Sequence, residues 1–159
     1  MPENGHRHCL LCGDLNSGSF GLKFTPHDDG GVRAVFHGHE GLQGYDGILH
    51  GGVIASLLDS AMTHCLFKKG VKAVTADLNV RYKHSIPCGE QVDVQAWLVK
   101  CHPPLYCLKA SLLLGGRTMA HGEARFMHMQ EGDARVFGEA SNDSSKKNLT
   151  PEIQPKEKP

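Results

Sequence analysis

One helical stripe set among strands constrains this chain more than any other feature. Ile54, Leu57, Leu58, Ala61 and Cys65 recur at helical spacing and form one apolar face. Gly52 to Lys69 predicts a helix about 27 Å long. Lys68 and Lys69 put positive charge at its negative end, and Gly70 suits a C-cap. Directly afterwards the period changes to two. Val74, Ala76, Leu78, Val80 and Tyr82 alternate with Thr75, Asp77, Asn79 and Arg81, as in a half-buried strand.

Strands are also expected at 20–26 and 31–37, separated by the turn signal Asp28-Asp29-Gly30-Gly31. Three more are expected around Val92–Leu98, 105–114 and 117–129, the last two joined by Gly115-Gly116. Residues 38–51, with five glycines and two histidines, read as loop. One long helix must bury its stripe against a single sheet, and short connections imply antiparallel neighbours. The expected fold is α+β, a curved antiparallel sheet wrapped around one long central helix.

Residues 1–19 read as an irregular N-terminal arm and 20–130 as the folded domain. Beyond Glu131 the last 29 residues hold only six Ala, Val, Ile, Leu or Phe, with three prolines, and are expected to be disordered. The chain has 159 residues, 40% apolar and 21% charged, with zero formal net charge. That length is enough for a real core. The charge balance predicts no general attraction to nucleic acid or to an anionic membrane surface. No apolar run is long enough to span a membrane, and none resembles a signal peptide. A cytoplasmic protein with reduced cysteines is expected.

The chemistry gathers at the helix start. The first amides of a helix lack internal partners and sit at its positive end. Gly51-Gly52 carries no side chain to block a ligand, which suits a carbonyl oxygen becoming an oxyanion. The same glycines also suit a plain loop-to-helix turn. Asp59 lies off the apolar stripe, on a face with the small residues Gly52, Ala55, Ser56 and Thr63. Such a face admits a ligand or a second subunit. A carboxylate there is either a solvated helix residue or a group that activates water or attacks a carbonyl.

His50-Gly51-Gly52-Val53-Ile54-Ala55-Ser56-Leu57-Leu58-Asp59 resembles the helix signature of the PaaI-like hotdog-fold acyl-CoA thioesterase family. Ala73 to Tyr82, then Pro87 and Gly89, resemble its next blocks. Cys9-Leu10-Leu11-Cys12-Gly13, with Asn16 and Gly21-Leu22, resembles the N-terminal pattern of one branch. The similarity runs from about Cys9 to His128. It implies a hotdog fold and hydrolysis of an acyl-CoA thioester to free acid and CoA. It also implies a homodimer or homotetramer with the site at the subunit interface. By this resemblance Gly51 supplies the oxyanion amide, His50 orients the loop or carbonyl, Asp59 is nucleophile or general base, and Thr75 places water. Some relatives carry an Asn shortly before the His-Gly-Gly; here Gln43 or Asp46 is the candidate substitute, and Gly52 lies beside the substrate. Arg81, Lys83 and His84, at a strand end, are candidates to meet CoA phosphates.

Two other readings are kept in view. A non-catalytic module could bind acyl-CoA or a partner on the same fold. A hotdog hydratase would use an Asp and a His five residues apart, as Asp59 and His64 are, although they lie on different helical faces. Cys9-x-x-Cys12 with His6 and His8 nearby is half of a zinc pattern, but four ligands at set spacings are the norm and no second Cys-x-x-Cys exists. No metal and no cofactor are expected.

Overall fold

The computed structural model describes residues 5–28 and 30–129. Six strands and one long helix follow in the order β1 (Thr25–Pro26), β2 (Val32–His37), α1 (Gly51–Phe67), β3 (Ala73–Tyr82), β4 (Gln91–His102), β5 (Leu105–Leu114) and β6 (Arg117–His128). A single 3-10 turn, Glu40–Leu42, interrupts the loop before α1. The strands form one sheet in the order β1-β2-β4-β5-β6-β3, antiparallel at each pairing. This is the hotdog fold, in the α+β class. The tail expected at 131–159 lies outside the described residues.

The stripe read from the sequence is the face that docks. Ile54, Leu57, Leu58, Ala61 and Cys65 are all buried, joined by Met62 and Leu66. The helix lies against β2 to β6. Opposite it stand Val92, Val94, Leu108, Leu112 and Phe126, every second residue of their strands. Burying side chains of this size contributes roughly 1.5–3 kcal/mol each. Gly115 and Gly116 both have positive φ, 55° and 81°, as a two-residue turn of the I′ kind requires, and Leu114 pairs with Arg117 across it.

Two local features differ from expectation. The strand expected at 20–26 shrinks to Thr25–Pro26. Phe20 and Leu22 instead donate their amides to Leu10 and Leu11 of the arm, so the alternating apolar residues there serve a loop-on-loop contact. Leu11 and Leu22 are buried within the same core. The second difference is a β-bulge. In β3, Thr75 pairs with Phe126 while Asp77 already pairs with Arg125, so Ala76 is the extra residue. Strict alternation would put Thr75 on the face opposite Leu78 and Val80. The bulge reverses the parity, so Ala73 and Thr75 share the helix-facing side with Leu78 and Val80.

Candidate active site

His50 is the N-cap of α1. Its Nδ1 accepts the amide of Gly52 at 2.8 Å. A Cβ on Gly52 would stand 3.0 Å from that nitrogen, and one on Gly44 would stand 3.2 Å from the ring's Cδ2. The two glycines therefore let the imidazole fit closely. The cap occupies the Gly52 amide. The amide of Gly51 has no acceptor among the described residues and points from the positive end of the helix dipole. Tyr82, at the end of β3, donates its hydroxyl to the Gly51 carbonyl at 3.0 Å and fixes that peptide. Its role was not legible in the sequence, where it read only as one more alternating residue.

The preceding loop is tied down. Gln43 accepts the Gly47 amide at its Oε1 at 3.0 Å, and its backbone bridges Leu49. Leu49 and Ile48 pair toward Ile86 and Pro87. Asp46 and Tyr45 stand exposed at the tip.

Asp59 lies two turns into α1 and is half-buried. It borders a cavity of about 310 Å³ with His6, Cys9, Leu11, Ser56 and Leu78. Thr75 donates its hydroxyl to Asp59 Oδ1 at 2.7 Å, a contact that the bulge makes possible. Burial pushes the Asp59 carboxyl above the ordinary carboxylate range; the Thr75 hydrogen bond and nearby His6 partly offset this. Gly51 and Asp59 are eight residues apart, about 12 Å along the axis.

His64, five residues on, is not beside Asp59. It stacks on Phe24 at 4.3 Å and lines a separate cavity of about 560 Å³ with Phe24, Phe67 and Val71. Burial lowers its pKa to about 4. Its Nε2 is buried without a hydrogen-bond partner among the described residues. The two side chains face different cavities, which removes the geometry a hydratase pair needs.

Arg81, Lys83 and His84 are exposed at the end of β3. Arg117 Nη2 donates to His84 Nε2 at 2.8 Å and adds a further positive group, which sequence order alone had left 33 residues away. In the arm, His6, Cys9 and Cys12 come together, with His8 exposed outside the group. Burial and the neighbouring Cys9 push the Cys12 thiol up to about 12.

Residues 46–101 match the family model of the thioesterase superfamily. Acyl-coenzyme A thioesterase THEM4 of Rattus norvegicus is 41% identical over 69 residues, 43% of this chain and 30% of that protein. The chain thus matches less than a third of that relative's length. A crystal structure of a thioesterase superfamily protein superposes with a TM-score of 0.72 at 25% identity, covering 76% of this chain and 63% of that one. The PaaI protein of E. coli, from the phenylacetic acid degradation operon, superposes with a TM-score of 0.65 at 15% identity, over 70% of this chain and 81% of that one. Among the described residues, one long helix in an antiparallel sheet gives the hotdog fold, and the His50-Gly51-Gly52 start lies within the segment similar to the thioesterase superfamily.

Proposed function

We propose that the chain hydrolyses an acyl-CoA thioester to free acid and CoA, with Asp59 as general base and the Gly51 amide holding the carbonyl oxygen. The observation that carries this reading is a half-buried carboxylate of raised basicity, oriented by a hydroxyl, on a helix whose start keeps one amide unpaired. A general base works best with a pKa drawn toward the operating pH. An amide at a helix N-terminus stabilises developing negative charge. Asp59 takes a proton from water as the water oxygen bonds to the carbonyl carbon. The tetrahedral oxyanion rests on the Gly51 amide. It then collapses with cleavage of the C–S bond, and the CoA thiolate leaves and is protonated.

About 12 Å of helix separates Gly51 from Asp59. One carbonyl cannot meet both groups of one chain. The reading therefore uses two copies, Gly51 from one protomer and Asp59 from its partner. Strand β3 supports a homodimer, because it ends the sheet and its outer edge has no strand partner among the described residues. Val74 and Tyr82 are exposed on it, and open edges of this kind pair readily. His50 keeps the helix start in shape, Thr75 keeps Asp59 in line for water, and Gly52 stands next to the carbonyl without donating to it. Asp46 and Gln43 lie on the loop beside the thioester. Arg81, Lys83 and His84, with Arg117, meet the CoA phosphates. The arm closes one wall of the Asp59 cavity through His6, Cys9 and Leu11.

The test is release of CoA thiol from short, medium, long and aromatic acyl-CoAs by the wild type and Asp59→Asn. The expected result is turnover of one class, with kcat reduced about 10²–10⁴-fold in the variant. Binding of CoA with no turnover would move the chain to a non-catalytic binding module, and equal turnover by both proteins would remove Asp59 from the chemistry.

A further inference from the structure

We propose that His6, Cys9 and Cys12 bind one zinc-like divalent cation, at the wall of the cavity that Asp59 borders. The three residues stand at i, i+3 and i+6 in the arm. One donor atom from each lies within 4.8 Å of the others. His6 Nδ1 and Cys12 Sγ are 3.7 Å apart. Two ligands on a tetrahedral zinc, with Zn–S near 2.3 Å and Zn–N near 2.05 Å, stand about 3.6 Å apart. The pair is already at ligand spacing before any ion is added.

The backbone is folded to present these atoms. Cys9 N donates to His6 O at 3.0 Å, and Gly13 N donates to Cys9 O at 2.9 Å, so the chain turns tightly around the cysteines. Leu11 N donates to Cys9 Sγ at 3.4 Å, which fixes the direction of that side chain. Gly13 is required for the turn. A Cβ there would lie 2.5 Å from Cys9 N and 2.6 Å from both Arg7 O and Cys9 O, all rigid backbone atoms. Phe67, at the end of α1, holds the His6 ring edge-to-face at 4.7 Å.

The donor set selects the ion. Two thiolates and an imidazole suit zinc among the divalent metals. Two thiolates also neutralise a dication exactly where all three side chains are half-buried and a net charge would be costly. Asp59 borders the same cavity as His6 and Cys9, but it is not within the donor cluster. The fourth position is therefore filled by water. The ion would pin the arm to the side of α1, and with it the wall of the cavity containing Asp59. A disulfide between Cys9 and Cys12 is the competing use of the same thiols, and it needs no imidazole.

The experiment uses the untagged full chain purified under reducing conditions. Metal analysis after dialysis is expected to find about one zinc per chain. Cobalt added to the metal-free chain is expected to give thiolate-to-cobalt charge transfer and tetrahedral visible bands. Cys9→Ser and His6→Ala should each weaken zinc binding by at least about ten-fold, the low end for losing even an outer-sphere partner. Cys101→Ser, an exposed thiol outside the cluster, should bind as the wild type does. Absence of a cobalt charge-transfer band in the wild type overturns the proposal, and that readout holds even if the variants fail to fold. Unchanged binding in both ligand variants overturns it too. So does a fully reduced chain that holds no zinc, or a native Cys9–Cys12 disulfide. None of these readouts depends on whether the chain hydrolyses a thioester.

Discussion

Asp59 combines a conflict of forces that its pH behaviour will expose. Burial disfavours its charged form, and the Thr75 hydroxyl favours it. Removing the hydroxyl therefore raises the carboxyl further. Thr75→Ala should move the acidic limb of the kcat/KM profile to higher pH, and Thr75→Ser should restore it. A purely structural role for Thr75 would leave the limb in place. Stability runs the other way. A raised carboxyl binds its proton more tightly in the folded state, so stability falls as pH rises through the window from the ordinary carboxylate range to the raised value. Asp59→Asn, which carries no charge to bury, should melt higher than the wild type at neutral pH and lack that loss; a lower Tm would contradict it. His64 shows the opposite sign. Burial depresses it to about 4 from 6.5, so its stabilising contribution is present above 6.5 and disappears as pH falls through about 4. His64→Phe, which keeps the stack on Phe24, should flatten the acid side of a Tm–pH curve.

The elements divide into those whose sequence states their role and those whose partners decide it. Ile54, Leu57, Leu58, Ala61 and Cys65 announced α1 because a buried face must repeat at the helical period. The Gly115-Gly116 hairpin was equally plain, since its turn needs positive φ twice. Phe20, Leu22 and Phe24 alternate like a strand, yet the first two bond to the arm, and no local pattern distinguishes sheet from loop-on-loop pairing. The candidate site could be read in the sequence only in part. Gly51 and Asp59 could be picked out by their place on the helix. Resemblance gave Thr75 only a role in placing water; its hydrogen bond to Asp59 was not legible, because Ala76 carries no mark of a bulge. Tyr82, Arg117 and His6 reach the site regions from distant sequence, so spacing could not have assigned them.

At the scale of the whole molecule, the proposed site ties activity to assembly through the length of the helix. The Gly51 amide and the Asp59 carboxylate, proposed to act on one carbonyl, stand about 12 Å apart on it. Assembly and activity should therefore be lost together. Val74→Lys, on the open edge of β3, introduces a charge that disfavours edge pairing. The variant should elute as a monomer and lose turnover with Gly51, Asp59 and Thr75 all in place. A monomer that stays fully active would refute the two-copy site.

The extra residue in β3 acts as a half-period phase shift. Upstream of Ala76 the strand is in phase with the carboxylate, and downstream it is in phase with the core. The two halves can drift in composition without disturbing each other, as long as the shift stays. Deleting Ala76 would erase it. With Ala76 gone, Thr75 and Leu78 stand two positions apart in a regular strand, so Thr75 keeps the helix-facing side with Leu78 and Val80 and its hydroxyl stays within reach of Asp59. The expected protein is folded, with the Tm of a mild variant and the pH profile of the wild type; the profile of Thr75→Ala would contradict it.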